Sequence, residues 1–341
     1  MSELKTTIPK GSWVLVTGVT GFVASHVAKQ FLERGYKVRG TVRDIAKAAW
    51  LVDDVLKSYI NDGTFELALV PDISADHSLD DAVKGVSAVV HVATIGTFDP
   101  DPHKVVPQTV AGVTSALEAA IKEPSVQQFV FTSSKGAALT PFIGNDTVVG
   151  RDTWNDQVVQ LAWAPAPYEP SRGMVVYYAS KVAAEKEVWR FAAERKPHFA
   201  VNVVSPATII GEPLNKKHPG FSSSFIPELY EGKTTYLDTS TSIYFVDVKD
   251  VALLHVAAAL DPEVNNARLH IWGQHTSWTN IAAIMRKFRP QQKSIPEFPT
   301  PQTLTISTDQ SETLALIKNW GSHGGWRPLE ETVADNLSVC E

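Results

Sequence analysis

Short apolar runs alternate with segments of helical period through the first 205 residues of this chain. The first run, residues 13–16, is followed by Gly18 and predicts a buried strand. Residues 22–34 then carry apolar side chains four apart and end at Gly35, which is typical of a helix with a glycine C-cap. Such alternation requires a parallel sheet that is covered by helices on both faces.

The alternation continues to about residue 205 and then breaks down. Further strands are predicted at residues 36–42, 65–70, 88–93, 129–132 and 200–205, and helices at residues 79–84, 108–122 and 175–195. Beyond Pro206, loops at 211–241 and 289–301 separate predicted helices at 248–260, 280–288, 314–320 and 329–337, with one strand at 269–272. The sequence therefore predicts an α/β fold, a doubly wound parallel sheet followed by a smaller C-terminal part.

Composition excludes several classes of protein. With 31 Lys+Arg against 37 Asp+Glu, the net charge is −6, which argues against a nucleic-acid partner bound through its phosphates. One cysteine, Cys340, permits no intrachain disulfide and no cysteine-based metal site, and we expect no metal. We find no secretory signal, and the longest apolar run, residues 251–260, falls far short of the ~20 residues of a membrane helix. We expect a cytoplasmic protein away from membranes, as a monomer or homodimer.

A glycine turn joins the first strand to the first helix as Gly18-x-x-Gly21-x-x-Ala24. Gly18 permits the tight turn, Gly21 lets backbone amides approach a pyrophosphate, and Ala24 lets the helix pack closely on the strand. Two glycines alone are a weak signal. Between a strand and a helix, ahead of a second strand, they predict a dinucleotide site and a Rossmann-type sheet.

The end of the second strand indicates which dinucleotide binds. An NAD site has an acidic residue ~20 residues beyond the glycines, where it accepts a hydrogen bond from the ribose. This chain has Val42 there, followed by Arg43, with Lys47 four residues later. Because a guanidinium binds a 2′-phosphate that a carboxylate would repel, we expect NADP(H). Two alternatives stay open: Asp44 as a displaced NAD acid, and simple surface charges at the two basic positions.

Tyr177 and Lys181 lie four residues apart on the predicted helix at 175–195, so both project from one side. A lysine ammonium one turn away favours phenolate and lowers a tyrosine pKa from ~10 towards neutrality. The pair predicts a proton donor for carbonyl reduction, whose lysine can also bind the nicotinamide ribose. Tyr178 is the weaker alternative, because it lies on a face rotated by ~100°.

Two serines follow the strand at 129–132, at the edge where ligands bind in parallel sheets. The hydroxyl of Ser133 or of Ser134 can donate to a substrate carbonyl oxygen beside the phenol. The alternative is a pair of turn serines that satisfy backbone groups.

In this order and spacing, the motifs resemble the extended short-chain dehydrogenase/reductases. The similarity is greatest to the dihydroflavonol-reductase-like branch and to the fungal and yeast NADPH-dependent carbonyl (aldehyde) reductases. It covers nearly the whole chain and is carried by residues 14–24, 36–43, 90–93, 131–134, 177–181, 205–211 and 245–252. It implies an NADP-binding domain at 1–206 and a mainly substrate-binding part at 207–341, with about 240–260 returning to the first domain.

The resemblance also implies roles for individual residues. It selects Ser134 over Ser133 as the catalytic hydroxyl, with Tyr177 as proton donor and Lys181 as its activator, while hydride passes from C4 of NADPH to the carbonyl carbon. Asp72 and Ile73 would flank the adenine. The implied cofactor residues are Thr17, Gly18, Thr20, Gly21, Phe22, Val23, Arg43, Lys47, Asp72, Ile73, Val92, Ala93, Thr94, Thr132, Tyr177, Lys181, Pro206, Thr208, Ile209 and Ser223.

The implied substrate wall consists of residues 95–98, 137–139, 151–156, 221–226 and 242–245. It is mostly apolar or small, which suits aryl or alkyl ketones, keto esters and aldehydes. Its named members are Ile95, Phe98, Ala137, Trp154, Phe225 and Tyr244. Ala207 and Lys135 depart from the family pattern, which leaves the specific substrate open.

Two other functions compete with a reductase. A nucleotide-sugar dehydratase on this fold carries an acid beside the catalytic hydroxyl, whereas Ser134 has Ser133 and Lys135 as neighbours. An epimerase of that kind shares the fold as well. A non-catalytic NADP(H) sensor would have no need of Ser134, Tyr177 and Lys181 together.

Overall fold

The computed structural model describes residues 5–142, 146–215, 220–235, 237 and 239–340, which form two compact units. The first unit consists of residues 1–140, 151–205 and 255–269. The second consists of residues 141–150, 206–254 and 270–341. The segment that returns to the first unit is thus 255–269, where the sequence predicted about 240–260. That the C-terminal part binds substrate stays a prediction.

The secondary structure is numbered in chain order. The strands are β1 (Trp13–Val16), β2 (Lys37–Val42), β3 (Phe65–Leu69), β4 (Val86–His91), β5 (Gln128–Thr132), β6 (Val148–Val149), β7 (Ala200–Pro206), β8 (Thr208–Ile210), β9 (Ile243–Asp247), β10 (Arg268–Ile271), β11 (Gln274–Thr276) and β12 (Ser307–Thr308). The α-helices are α1 (Phe22–Glu33), α2 (Lys57–Asn61), α3 (Pro102–Lys122), α4 (Asp156–Ala162), α5 (Gly173–Arg195), α6 (Phe225–Tyr230), α7 (Val248–Leu260), α8 (Trp278–Phe288), α9 (Ser311–Trp320) and α10 (Leu329–Leu337).

Seven strands form the central sheet in the order β10-β7-β5-β4-β1-β2-β3. The registered pairs from β7 through β3 are all parallel, and β1 lies between β2 and β4. The strand order therefore reverses beside β1, which creates a topological switch point between β1 and β4. The predicted Rossmann-type doubly wound sheet is confirmed.

Burial on both faces of the sheet accounts for its nearly continuous apolar strands. Every residue of β5 is buried, and Phe129 and Phe131 belong to the main core of the first unit. Val113 and Leu117 from α3 and Val188 from α5 pack into the same core. Both long helices are thereby held against the strands that end in the candidate site residues.

Two predicted helices differ from the structure. Residues 79–84 are a series of turns, because so short a segment gains few helical hydrogen bonds; Leu79 and Val83 are nevertheless buried in the core. Helix α3 begins at Pro102, six residues earlier than predicted, because Asp101 accepts a hydrogen bond from the His103 amide (3.0 Å) and proline suits the first helical position. The helix continues through the exposed Pro107.

The second unit has its own sheets and core. Strand β9 pairs antiparallel with β11 and parallel with β8, and β12 pairs parallel with β6. Its core includes Ile210, Phe245, Trp278, Met285 and Leu337. Helix α6 lies inside the range 211–241 that was predicted to be loop.

The described residues contain no helix with both the length and the apolar character needed to cross a bilayer. Nor do they bring three or more His, Cys, Asp or Glu side chains together as a metal site.

We predict that Gly40→Ala destabilises the first unit, because a Cβ at Gly40 would lie 2.6 Å from Cγ1 of the fully buried Val19. The overpacking should lower the free energy of unfolding by about 1–3 kcal/mol, measured by urea denaturation. The control is Gly96→Ala, whose Cβ would have open space around it. Equal stability of the two variants would contradict the packing described for the turn after β1.

Candidate active site

The glycine turn at the end of β1 is fixed by hydrogen bonds to the adjoining strand. Gly18 has φ +67°, and its amide donates to the Thr41 hydroxyl of β2 (2.9 Å). A Cβ at Gly18 would lie 3.1 Å from the Ala93 Cβ, so only glycine fits here without displacement. No side chain caps helix α1 after Gly21. The open turn and the helix N-terminus that it leads into suit a pyrophosphate group.

Thr17 ties this turn to the loop after β4. Its hydroxyl accepts hydrogen bonds from the amides of Val92 and Ala93 (3.0 Å each) and contacts Nδ1 of His91 at 3.3 Å. Thr17 is fully buried, so it contributes to the predicted cofactor site by holding backbone in place. Thr94 is exposed at the start of the following loop.

The residues after β2 include the two basic side chains that were predicted to bind a 2′-phosphate. Arg43 and Lys47 are exposed. The Asp44 carboxylate accepts a hydrogen bond from the Ala46 amide at 2.9 Å, which gives it a role in the local turn. That role weakens the alternative in which Asp44 binds an NAD ribose.

The predicted adenine pair lies after β3. Asp72 accepts hydrogen bonds from the Ser74 hydroxyl (2.6 Å) and amide (2.9 Å), which lower the pKa of its carboxyl. Ile73 packs against the main core of the first unit. Asp72 is thus a preformed, exposed acceptor beside an anchored apolar residue.

Ser134, Tyr177 and Lys181 come together at the carboxyl ends of the strands. The Ser134 hydroxyl, which also accepts a hydrogen bond from the Gly136 amide (3.1 Å), hydrogen-bonds to the Tyr177 phenol. Nζ of the buried Lys181 lies 6.0 Å from the centre of the Tyr177 ring and donates to the Thr132 carbonyl at 3.0 Å. One strand end and one helix therefore supply all three groups.

The expected lowering of the Tyr177 pKa is not found in this structure. Loss of water around the phenol, and Tyr178 beside it, raise the pKa of Tyr177 to about 12, and the hydrogen bond from Ser134 only partly opposes this. Burial also lowers the pKa of Lys181 to about 8, against the opposing charge of Glu185. The lysine ammonium is directed at the Thr132 carbonyl rather than at the phenol oxygen, so desolvation dominates.

The structure distinguishes Ser133 from Ser134 and Tyr177 from Tyr178 by their contacts. The Ser133 hydroxyl donates to the Glu185 carboxylate at 2.5 Å, whereas Ser134 faces Tyr177. The Tyr178 ring lies so close to Gly136 that a Cβ there would approach it to 2.1 Å. Tyr178 thus packs against a second apolar cluster of the first unit. The catalytic roles of Ser134 and Tyr177 stay predictions.

Four of the predicted substrate residues belong to the first unit. The Phe98 ring lies 5.2 Å from the Tyr177 ring, in a backbone conformation with φ +51°. Its carbonyl oxygen would lie 2.4 Å from a Cβ at Gly173, which explains a glycine at the start of α5. Ile95 and Trp154 pack on the apolar cluster that contains the fully buried Ala137.

The remaining predicted cofactor and substrate residues are divided between the two units. In the first unit, Thr20, Phe22 and Val23 are half-buried around the start of α1, and Thr132 is hydrogen-bonded to His255 at 2.8 Å. The second unit contains Pro206, Thr208, Ile209, Ser223, Phe225 and Tyr244. Ser223 donates to the Gly220 carbonyl (3.0 Å), and Tyr244 donates to the Ile306 carbonyl (3.2 Å).

Sequence reasoning missed the buried groups behind the site. Glu185, Arg268 and His255 lie among the residues that surround Ser133, Lys181 and Thr132. One signal in the sequence could have indicated Glu185. It follows Lys181 by one helical turn, so its charge lies on the same side of the helix, which faces the sheet and must be buried.

Comparison with known proteins places the chain in a family. The family model described as "NAD dependent epimerase/dehydratase family" matches residues 14–271. NAD-dependent epimerase/dehydratase terH of Aspergillus terreus is 39% identical over 100% of this chain and 99% of its own length. Aldehyde reductase 2 of Sporidiobolus salmonicolor is 34% identical, over 96% of each chain.

A solved structure agrees with these relatives. Yeast methylglyoxal/isovaleraldehyde reductase Gre2, complexed with NADPH, aligns with a TM-score of 0.79 and 25% identity, over 96% of this chain and 98% of its own. The predicted similarity to extended short-chain dehydrogenase/reductases is confirmed, and the chain belongs to the NAD dependent epimerase/dehydratase family.

Proposed function

We propose that this protein reduces aldehydes and ketones with NADPH, using Ser134, Tyr177 and Lys181. The observation that carries the proposal is the Ser134–Tyr177 hydrogen bond at the carboxyl end of β5, with Lys181 one turn along α5. The reaction class is supported by the relative named an aldehyde reductase and by the reductase structure that contains NADPH.

The residues present fit the cofactor. A Cβ would lie 3.1 Å from the Ala93 Cβ at Gly18 and 3.2 Å from the Gly18 carbonyl oxygen at Gly21, so the tight turn before the N-terminus of α1 favours glycine at both positions. The exposed Arg43 and Lys47 are available to a 2′-phosphate. Lys181 would hold the nicotinamide ribose. When bound, the reduced nicotinamide supplies a hydride from its C4 atom.

Ser134 and Tyr177 act on the carbonyl oxygen. Both hydroxyls can donate to it and stabilise the negative charge that develops there. Because the pKa of Tyr177 is raised to about 12, the phenol keeps its proton at neutral pH until the oxygen becomes a strong base. Lys181, with a pKa of about 8, is mostly protonated at pH 7, and its ammonium favours the phenolate that remains.

The substrate that we propose is an apolar carbonyl compound, such as an aryl ketone, a keto ester or an aldehyde. Phe98 beside Tyr177 and the apolar cluster around Ala137 support this class. A nucleotide-sugar epimerase or dehydratase is the second candidate, because the names of the family and of the relative from Aspergillus terreus contain the words epimerase/dehydratase.

We predict that Tyr177→Phe lowers kcat by about 10²–10⁴-fold, because the variant keeps the ring but loses the proton donor. NADPH should still bind, as measured by its fluorescence, and turnover is followed at 340 nm with aryl ketones, β-keto esters and aldehydes. Tyr178→Phe is the matched control and should retain activity. If Tyr177→Phe were active and Tyr178→Phe inactive, the proton donor would be Tyr178 and not Tyr177.

Arg43→Ala should weaken NADPH and leave NADH nearly unaffected, because only NADPH carries the 2′-phosphate. Loss of a charge-assisted contact predicts a KM for NADPH raised about tenfold or more. Asp44→Ala is the control and should change neither KM strongly. If Arg43→Ala kept the full preference for NADPH, the phosphate would have to be bound elsewhere.

A further inference from the structure

Glu185 is a fully buried carboxylate whose two oxygens both accept hydrogen bonds. Oε2 accepts from the Ser133 hydroxyl at 2.5 Å, and Oε1 accepts from Nε of Arg268 at 2.5 Å. The Trp189 indole adds a longer hydrogen bond to Oε1 (3.3 Å). A buried charge is tolerated only when it is paired in this way, so loss of the Glu185 carboxylate alone would leave the buried Arg268 guanidinium without its partner charge.

Arg268 extends the contact towards a segment that precedes α4. Its Nη1 donates to the carbonyls of Arg151 (2.8 Å) and Thr153 (2.6 Å). Its guanidinium carbon lies 4.1 Å from the centre of the Trp154 ring. The guanidinium therefore fixes backbone in residues 151–153 and stacks on the aromatic side chain that follows.

Ser133 connects Glu185 to the catalytic group, because it directly precedes Ser134. Its amide donates to the Val204 carbonyl of β7 (2.8 Å), and its hydroxyl is held by Glu185 on α5. The same helix carries Tyr177 and Lys181, two turns and one turn earlier. The separation of Ser134 from Tyr177 is thus set by a strand end that is fixed to the catalytic helix.

We propose that Glu185 is a positioning residue of the reductase site. It fixes Ser133, and so the neighbouring Ser134, against the helix that carries Tyr177 and Lys181. Through Arg268, it also fixes the segment that contains Trp154 relative to that helix. This inference rests on the proposed function. It adds a residue that touches neither substrate nor cofactor but determines how the donor groups are spaced.

The charge of Glu185 also acts on Lys181. Around Lys181 lie Tyr177 and Glu185 on its own helix, His91 at the end of β4 and the Thr132 carbonyl at the end of β5. Burial and the nearby lysine lower the pKa of His91 to about 3, so His91 is neutral at working pH. Glu185 therefore supplies the negative charge that favours the ammonium, and its removal should let Lys181 lose its proton at lower pH.

The test compares pH profiles of kcat for the full-length wild type and Glu185→Gln, which keeps the shape and removes the charge. We expect kcat at pH 7 to fall about tenfold or more, since small displacements of donor groups are costly. We expect the alkaline fall of kcat to move about one unit lower in pH, because the opposite charge beside Lys181 is lost. Glu185→Asp should restore the position of the alkaline fall.

A second variant covers the case in which the unpaired Arg268 prevents folding. Glu185→Leu together with Arg268→Met replaces both charges by apolar groups, a change that often preserves stability. A purely structural role predicts wild-type kcat for this folded variant, whereas a positioning role predicts the same loss and the same shift as Glu185→Gln. NADPH binding is measured by fluorescence at pH 6, where Lys181 is charged, and should stay within about threefold of wild type.

The control is Glu194→Gln, an exposed glutamate of the same helix that is paired with Arg190; it should leave the profile unchanged. Folded Glu185 variants with the wild-type kcat and the wild-type alkaline fall would overturn the inference. A wild-type protein with no NADPH-dependent turnover would instead count against the proposed function itself.

Discussion

Parallel pairing of β1, β4, β5 and β7 is the constraint on which the candidate site depends, because it brings their carboxyl ends to one edge. The glycine turn leaves that edge after β1, and Ser134 leaves it after β5. Burial of these strands on both faces fixes their register, so the strands and not a flexible loop position the candidate site residues. The long helix α5, packed on the same core through Val188, then brings Tyr177 and Lys181 to this edge.

The electrostatics of the site follow from burial more than from pairing. Tyr177 is harder to ionise than free tyrosine, and Lys181 is easier to deprotonate than free lysine. Both shifts arise from lost hydration, and neither alone would favour proton transfer. Glu185 opposes the second shift, and the Ser133 hydroxyl and the Arg268 guanidinium donate hydrogen bonds to its two oxygens. The proposed positioning role of Glu185 would link this buried network to proton transfer at the candidate site.

Sequence motifs predicted the sheet, the family and the reaction class, because each depends on local spacing: the Gly18 turn, the Tyr177–Lys181 interval and the serines after β5. They did not predict groups that meet only through tertiary packing. Arg268 and Glu185 are 83 residues apart in the chain, and nothing in the sequence pairs them.

The predicted lowering of the Tyr177 pKa was wrong for the same reason. The spacing of Tyr177 and Lys181 shows that they are close along the helix, but it shows neither the hydration of the phenol nor the direction of the Lys181 ammonium. Helix α3 begins before the predicted residue 108 because Asp101 caps it by accepting a hydrogen bond from the His103 amide.

Net hydride transfer from NADPH to a carbonyl carbon is the step on which the proposed function depends. Its most direct test uses NADPH deuterated at C4 of the nicotinamide, with product analysis by mass spectrometry and NMR. We predict one alcohol formed for each NADPH oxidised, with deuterium from the transferred C4 position on the carbinol carbon. An epimerase or dehydratase regenerates its cofactor within each turnover. Conversion of a sugar nucleotide without net loss of absorbance at 340 nm, together with no deuterated alcohol from any carbonyl substrate, would contradict the account.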